Sequence, residues 1–339
     1  MKNSRNKKGF RSLVLLLFLT IIMFGTSTYA WFTANRVVTI NSLDVHVEAG
    51  NGIQVSTDAA SWKSVLTNAD IKSGYTGHKN QVPATITAVS TNAVANSQGK
   101  LNMYSSIIGN DAVTGDYTIK TVLEEDKAGT DGKYIAFDIF VRVDTTQTVY
   151  FTPKTDVTKI GNEDKGLKNS ARVAFVNLGH AASSAGTDAF LELNTGASSS
   201  VILWEPNSDV HTPVVVNTVA PEMGIELEEI LDDEDQPTGK YEPVAYRGIV
   251  NAISDAEDLK KIVNGTITAK DETTYTTAVA PTIKTPEGNN EYVEFAELTA
   301  GVTRFRVYMW LEGQDVDCEN EATGSDISFN IELSTSNSI

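Results

Sequence analysis

The sequence predicts an all-β fold, an antiparallel sandwich carrying loop and helix insertions. Two observations carry that expectation. Among 339 residues, Thr (38) and Val (32) are abundant, and both are β-branched, stiff at χ1 and suited to a pleated surface. Several segments alternate apolar and polar side chains with period two.

In chain order, Leu43, Val45, Val47 and Ala49 form the first alternating set. Tyr134–Val143 places Ile135, Phe137, Ile139, Val141 and Val143 on one face, with Asp138 and Arg142 on the other. Thr148–Thr152, Ala171–Leu178 and Val201–Trp204 are shorter strand candidates. Arg304–Glu312 aligns Phe305, Val307, Met309 and Leu311 opposite Arg304, Arg306, Tyr308, Trp310 and Glu312. Ile327, Phe329, Ile331 and Leu333 alternate with Ser328, Asn330 and Glu332. Such alternation is expected of antiparallel sheets with one wet face, and favours a sandwich over a parallel α/β sheet.

Two segments depart from that pattern. Ser254 and Glu257 have capping-box spacing, Leu259, Ile262 and Val263 follow at helical intervals, and Asn264-Gly265 supplies a stop. A second helix is expected over Glu222–Ile230. Both lie in an acidic stretch, 207–290, that holds Asp232–Asp235 and several Pro. It reads as an insertion between core strands or a small second domain. Residues 67–130, rich in Asn, Ser, Thr, Ala and Gly, read as another elaboration. The chain shows no clear internal repeat.

The first thirty residues have the form of an export signal. Lys2, Arg5, Lys7, Lys8 and Arg11 precede an apolar run from Leu13 to Phe24 and the small residues around Ala30. A basic n-region, a short h-region and small residues at the −3 and −1 positions describe a secretory signal peptide, cut here between Ala30 and Trp31. Residues 12–35 carry no charge, so an uncleaved membrane anchor is the alternative. Lys7-Lys8-Gly9-Phe10 also has the outline of a prepilin processing site, but Val14 stands where assembly needs a Glu. Five of the 27 basic residues and none of the 44 acidic ones lie in residues 1–30. Residues 31–339 therefore form a strongly acidic, secreted β-domain, a poor partner for nucleic acid because nothing would neutralise phosphates. The polar end, Ser334–Ile339, carries no sorting motif, so covalent wall anchoring is not expected.

Motifs for chemistry are sparse. His46, His78, His180 and His211 lie far apart, and no His-Glu-x-x-His, Gly-x-Ser-x-Gly, dinucleotide or Walker pattern occurs. Gly129, Gly132 and Lys133 have the wrong spacing for a phosphate loop. An enzyme is not expected, and a secreted hydrolase is the least favoured reading. Asp315, Asp317 and Glu319 are the candidates for calcium, which needs several converging oxygens, although the order of an EF-hand loop is missing. Cys318, the single cysteine, excludes a disulfide scaffold and reads as a small packed residue, a free thiol or an intermolecular bridge. Trp62, Trp204 and Trp310, with Tyr308 beside Trp310 on the same face, are candidate aromatics for stacking a sugar.

Ala30-Trp31-Phe32-Thr33-Ala34 after the apolar run resembles the processing site of TasA/camelysin-type proteins, with Trp in place of Tyr and Ala in place of Asp. Trp310–Cys318 with Ile327–Leu333, and Ile202–Asn207, are similar to segments of Firmicute surface proteins with such leaders. The resemblance covers about a third of the chain. It implies a jelly-roll-like sandwich, export through a SipW-type signal peptidase, and a role as a cell-surface or extracellular-matrix component of biofilms that associates into fibres or with other matrix proteins. It also implies assembly by donation of an N-terminal strand. Val38 and Ile40 on one alternating face, then Leu43, Val45 and Val47 after a register break, are the donor candidates; the alternative is that this segment pairs within its own subunit. Strand addition works by supplying partners to unpaired N–H and C=O groups at an open edge. No catalytic residue is carried over, because the zincin motif is missing. A surface module binding carbohydrate or another ligand is the alternative function.

Overall fold

Alternating apolar residues assemble two six-stranded sheets in the computed structural model. It describes residues 38–39, 45–50, 52–110, 117–160, 166–206, 211–213, 215–219, 229–241, 247–252, 260–263, 266–268, 276–279, 282–284, 292–315, 317–318 and 326–336. The strands of the two sheets are, in chain order, β1 (Val45–Ala49), β2 (Ile53–Ser56), β3 (Val65–Leu66), β4 (Ile135–Val143), β5 (Gln147–Phe151), β6 (Asp156–Ile160), β7 (Ala171–Ala181), β8 (Val201–Glu205), β9 (Thr282–Lys284), β10 (Val293–Leu298), β11 (Gly301–Leu311) and β12 (Asp326–Ser334). The first sheet runs β10-β5-β12-β1-β3, with β6 also on β12; the second runs β9-β8-β7-β11-β4-β2.

The sheets face each other across one apolar core. Val47, Leu66, Val149, Phe151, Val157, Phe329 and Ile331 come from the first sheet, and Ile135, Phe137, Ile139, Val173, Phe175, Phe305, Val307 and Met309 from the second. Phe295 is edge-on to both Phe151 and Phe175, each at 5.0 Å between ring centroids, so aromatic packing joins the two layers. The inward sets on β4, β11 and β12 are those that the alternation predicts.

Most neighbouring strands are antiparallel, but β1 lies parallel to β12 and β9 parallel to β8. Both parallel pairs join strands far apart in sequence, which supplies the long connection that parallel pairing needs. On the other edge of β12, β5 and β6 act as one strand interrupted at residues 152–155. The Thr155 hydroxyl patches the gap: it accepts from the Glu332 N–H and donates to the Glu332 carbonyl, both at 2.9 Å.

The expectation of a wet face holds for β12, whose inward residues are buried and outward residues only partly so. It fails for the second sheet. Along β4 and β11 nearly every side chain on both faces is buried. Residues 79–105 cover much of that outer face. Gln81 exchanges backbone hydrogen bonds with Ala136, and Val89 accepts from Gly313 and donates to Leu311. Val89, Ala93, Ala95, Leu101 and Met103 pack against Ala136, Ala174, Val176, Tyr308 and Trp310. A short helix, α1 (Asn68–Ser73), leads into this cover. A second, α2 (Thr187–Leu191), sets Phe190 against Phe140 and Val302. This cover was hard to anticipate because residues 79–105 have no sustained period.

The two insertions share a four-stranded sheet, in which Tyr117–Glu124 lies between Met103–Asn110 and Lys260–Val263, and Thr266–Thr268 pairs with the last. The helix expected to end at Val263 is therefore corrected at its described end, Lys260–Val263, which is a strand. Val263 pairs with Thr266 across Asn264-Gly265, so the dipeptide read as a helix stop separates two hairpin strands, a common role for Asn-Gly. The helix expected over Glu222–Ile230 is likewise corrected where it is described: Glu229–Leu231 is a strand paired with Pro237–Tyr241. Asp232–Asp235 forms the connection, in which the Asp232 carboxylate accepts from the N–H groups of Glu234 and Gln236 at 2.9 and 2.8 Å.

Candidate functional site

Charged residues on the outer face of the second sheet neutralise one another beneath the cover. Arg306 on β11 stands directly opposite Asp138 on β4. The Asp138 carboxylate accepts from Arg306 and Arg304 at 2.9 Å each and from the Tyr75 hydroxyl at 2.6 Å. On the other side, Arg306 pairs with Asp126 at 2.8 Å, and Asp126 also takes Lys100 at 3.2 Å and the Tyr134 hydroxyl at 2.7 Å. Burial alone would raise both carboxyls. Arg306, with Arg304 beside Asp138 and Lys100 beside Asp126, outweighs that and holds them below the usual carboxylate range. The cluster is a closed ionic network, and its tyrosines are pushed up by burial, away from acid–base work near neutral pH.

A second cluster occupies the β7–β11 end of the same face. Arg172 forms ion pairs with Glu205 and Asp315. His211 Nδ1 lies 2.6 Å from the Asp317 carboxylate, which also accepts from the Thr212 N–H at 3.1 Å. This contact fastens the start of the 207–290 insertion to the chain after β11. Burial and the neighbouring Asp315 push Asp317 up, against the pull of His211. Glu312 is fully buried and accepts from Trp310 Nε1 at 3.0 Å and the Gln314 N–H at 2.9 Å, yet burial pushes it up to about 7. Cys318 sits alongside, buried, its thiol pushed up first by burial and then by Asp315 and Glu312.

These positions correct two site expectations. Tyr308 and Trp310, the candidate ligand aromatics, have no exposed surface because residues 79–105 lie over them. Trp204 is in the inter-sheet core, and Trp62 is partly covered by the Arg142 guanidinium 4.3 Å above its ring. Of the calcium candidates, Asp315 is committed to Arg172 and Asp317 to His211, while Glu319 lies outside the described residues. Among the described residues no three metal-ligating side chains converge.

The N-terminal segment has a defined seat. β1 pairs in register with β12 from Val45↔Phe329 to Ala49↔Leu333, and on its other side with β3 through Val47↔Leu66 and Glu48↔Val65. Val47 and Ala49 enter the core, while Glu48 is exposed. Upstream, Val38 pairs with Ile86. Downstream, residues 50–52 alone carry the chain to β2 in the opposite sheet; Gly52 there has φ +85°, a conformation that suits glycine. The donor candidates Val38, Val45 and Val47 are thus paired within their own chain. Ile40 and Leu43 lie outside the described residues, as do Ala30 and Trp31.

No family model, curated protein or solved structure matches the chain. Among the described residues no helix is long and apolar enough to cross a membrane. Sequence reasoning named the residues of the strand seat. It missed the Asp138–Arg306 and His211–Asp317 pairs, whose partners are separated by more than a hundred positions and carry no shared local motif.

Proposed function

We propose that the chain is a secreted structural subunit of a cell surface or extracellular matrix, a jelly-roll-like sandwich that self-associates by exchange of its N-terminal strand. The observation that carries this reading is the seat of β1. β1 lies beside β12, is flanked on its other side by a two-residue strand, and is tethered to β2 through three residues, two of them glycine. Exchange between copies rebuilds the same pairs with another chain's strand, so its cost is confined to opening the hinge. Exchange that passes from copy to copy without closing on a pair is head-to-tail and grows filaments. The internal neutralisation of Asp126 and Asp138 by Arg304, Arg306 and Lys100 agrees with a scaffold role.

Residues 31–339, held at rising concentration and followed by light scattering and electron microscopy, test the proposal. Filaments that form with increasing concentration and vanish when residues 31–49 are deleted support it. Filaments unchanged by the deletion overturn it, as does a chain that stays monomeric at every concentration.

A further inference from the structure

A polar cleft of about 520 Å³ opens between the turn Asn96–Asn102 and the segment Leu123–Asp126, with Lys79 on its wall. Its volume is that of an ordinary small-molecule site. We propose that it binds a short neutral oligosaccharide, a role independent of strand exchange.

The turn that forms one wall is rigid. The Asn96 side chain accepts from the N–H groups of Gln98 and Lys100 at 2.9 and 3.2 Å and donates to Asn102 Oδ1 at 2.8 Å. From outside the turn, Asn194 donates to the Gln98 carbonyl at 3.1 Å. Gly99 has φ +69°, and a Cβ there would come within 2.5 Å of Asn194 and 2.7 Å of Leu178. The turn is held from both sides, so a ligand meets preorganised groups and less ordering is needed on binding.

The groups left over set the chemistry of the cleft. Asp126 is saturated by Arg306 and Lys100, and Glu124 by Lys133 at 2.7 Å. Lys79 and Glu125 have opposite charge and no ion pair among the described residues, so the charges left over at the cleft oppose each other. Ser97, Gln98 and Asn102 line the cleft, and the Ser97 hydroxyl, the Gln98 side-chain amide and Asn102 Nδ2 make no hydrogen bond among the described residues. Together they can donate and accept, which matches sugar hydroxyls. Leu123, 45% exposed although apolar, supplies a wall for the C–H face of a sugar ring. Tyr308 and Trp310 do not line the cleft.

Titration calorimetry with maltotriose, cellotriose and chitotriose, against trigalacturonate as the charged control, tests the site on residues 31–339. At least one neutral trisaccharide binds, and Asn102→Ala and Leu123→Asp each weaken it by about tenfold or more, the equivalent of losing one hydrogen bond or the apolar wall. Trp62→Ala leaves binding unchanged, and circular dichroism shows that each variant is folded. Absence of heat with all three neutral probes at millimolar concentration overturns the proposal. So does binding that survives both cleft substitutions, or trigalacturonate binding as tightly as the neutral sugars.

Discussion

Removing the Asp138 carboxylate probes the covered face of the second sheet most severely. In Asp138→Ala, Arg306 loses its partner at 2.9 Å, Arg304 loses the same, and the Tyr75 hydroxyl loses its acceptor at 2.6 Å. Arg306 and Asp138 are almost fully buried, so water cannot replace what is lost. Breaking a buried ion pair by deleting one partner costs about 3–5 kcal/mol, mostly through the charge left behind. With a urea slope of about 3 kcal/mol/M, the unfolding midpoint falls by about 1–1.7 M. Glu294→Ala, on an exposed position of β10, is the control and moves the midpoint by less than about 0.2 M, as surface substitutions do. Adding Arg306→Met to Asp138→Ala costs less than the sum of the two single changes, because the second removes the charge stranded by the first. A loss under about 1 kcal/mol for Asp138→Ala, or strict additivity in the double variant, would refute the closed ionic network.

Four further outcomes follow from particular groups. Glu312 has a folded pKa of about 7, above its unfolded value of about 4.5, so folding takes up a proton between them and stability falls as pH rises through that window, by about 3 kcal/mol in all. Glu312→Gln flattens this slope, as read by urea melts from pH 4.5 to 8; an unchanged slope would refute the assignment. The lowered pKa values of Asp126 and Asp138 have the opposite sign: their contribution is present above about pH 4 and lost as pH falls through their folded values. Thr155→Val removes both hydroxyl bonds to the Glu332 backbone and costs about 1–3 kcal/mol, whereas a neutral result would mean that the ladder closes without it. Cys318, buried with its thiol pushed up, stays unreactive to a thiol reagent in the native protein and reacts on unfolding; rapid native labelling or a disulfide-linked dimer would contradict this.

Alternation revealed the inter-sheet core because burial between two sheets acts directly on every second residue, as in Phe305, Val307, Met309 and Leu311. What hides the opposite face of β11 was not readable, since its cover is an irregular segment that satisfies its backbone through single bridges such as Gln81–Ala136 and Val89–Gly313. On that face Arg304 and Arg306 look like solvent-facing residues until Asp138 is placed opposite them. At the end of the Ser254–Val263 segment the signals compete: Asn-Gly serves equally as a helix stop and as a hairpin loop, and pairing with Tyr117–Ile119 decides between them at Lys260–Val263. The acidic run Asp232–Asp235 reads as part of an insertion from composition alone, and its backbone hydrogen bonds make it a hairpin connection.

The central claim is that β1 leaves its own sheet to join another subunit. Glu48 and Val65 are antiparallel partners adjacent to the hydrogen-bonded Ala49–Ser64 pair, and such non-hydrogen-bonded pairs bring side chains close enough for a disulfide. A Glu48→Cys, Val65→Cys chain oxidised as dilute monomer therefore locks β1 in place. Electron microscopy after concentration is predicted to show no filaments from the oxidised chain and filaments after reduction. Filaments from the oxidised, locked monomer would contradict the account.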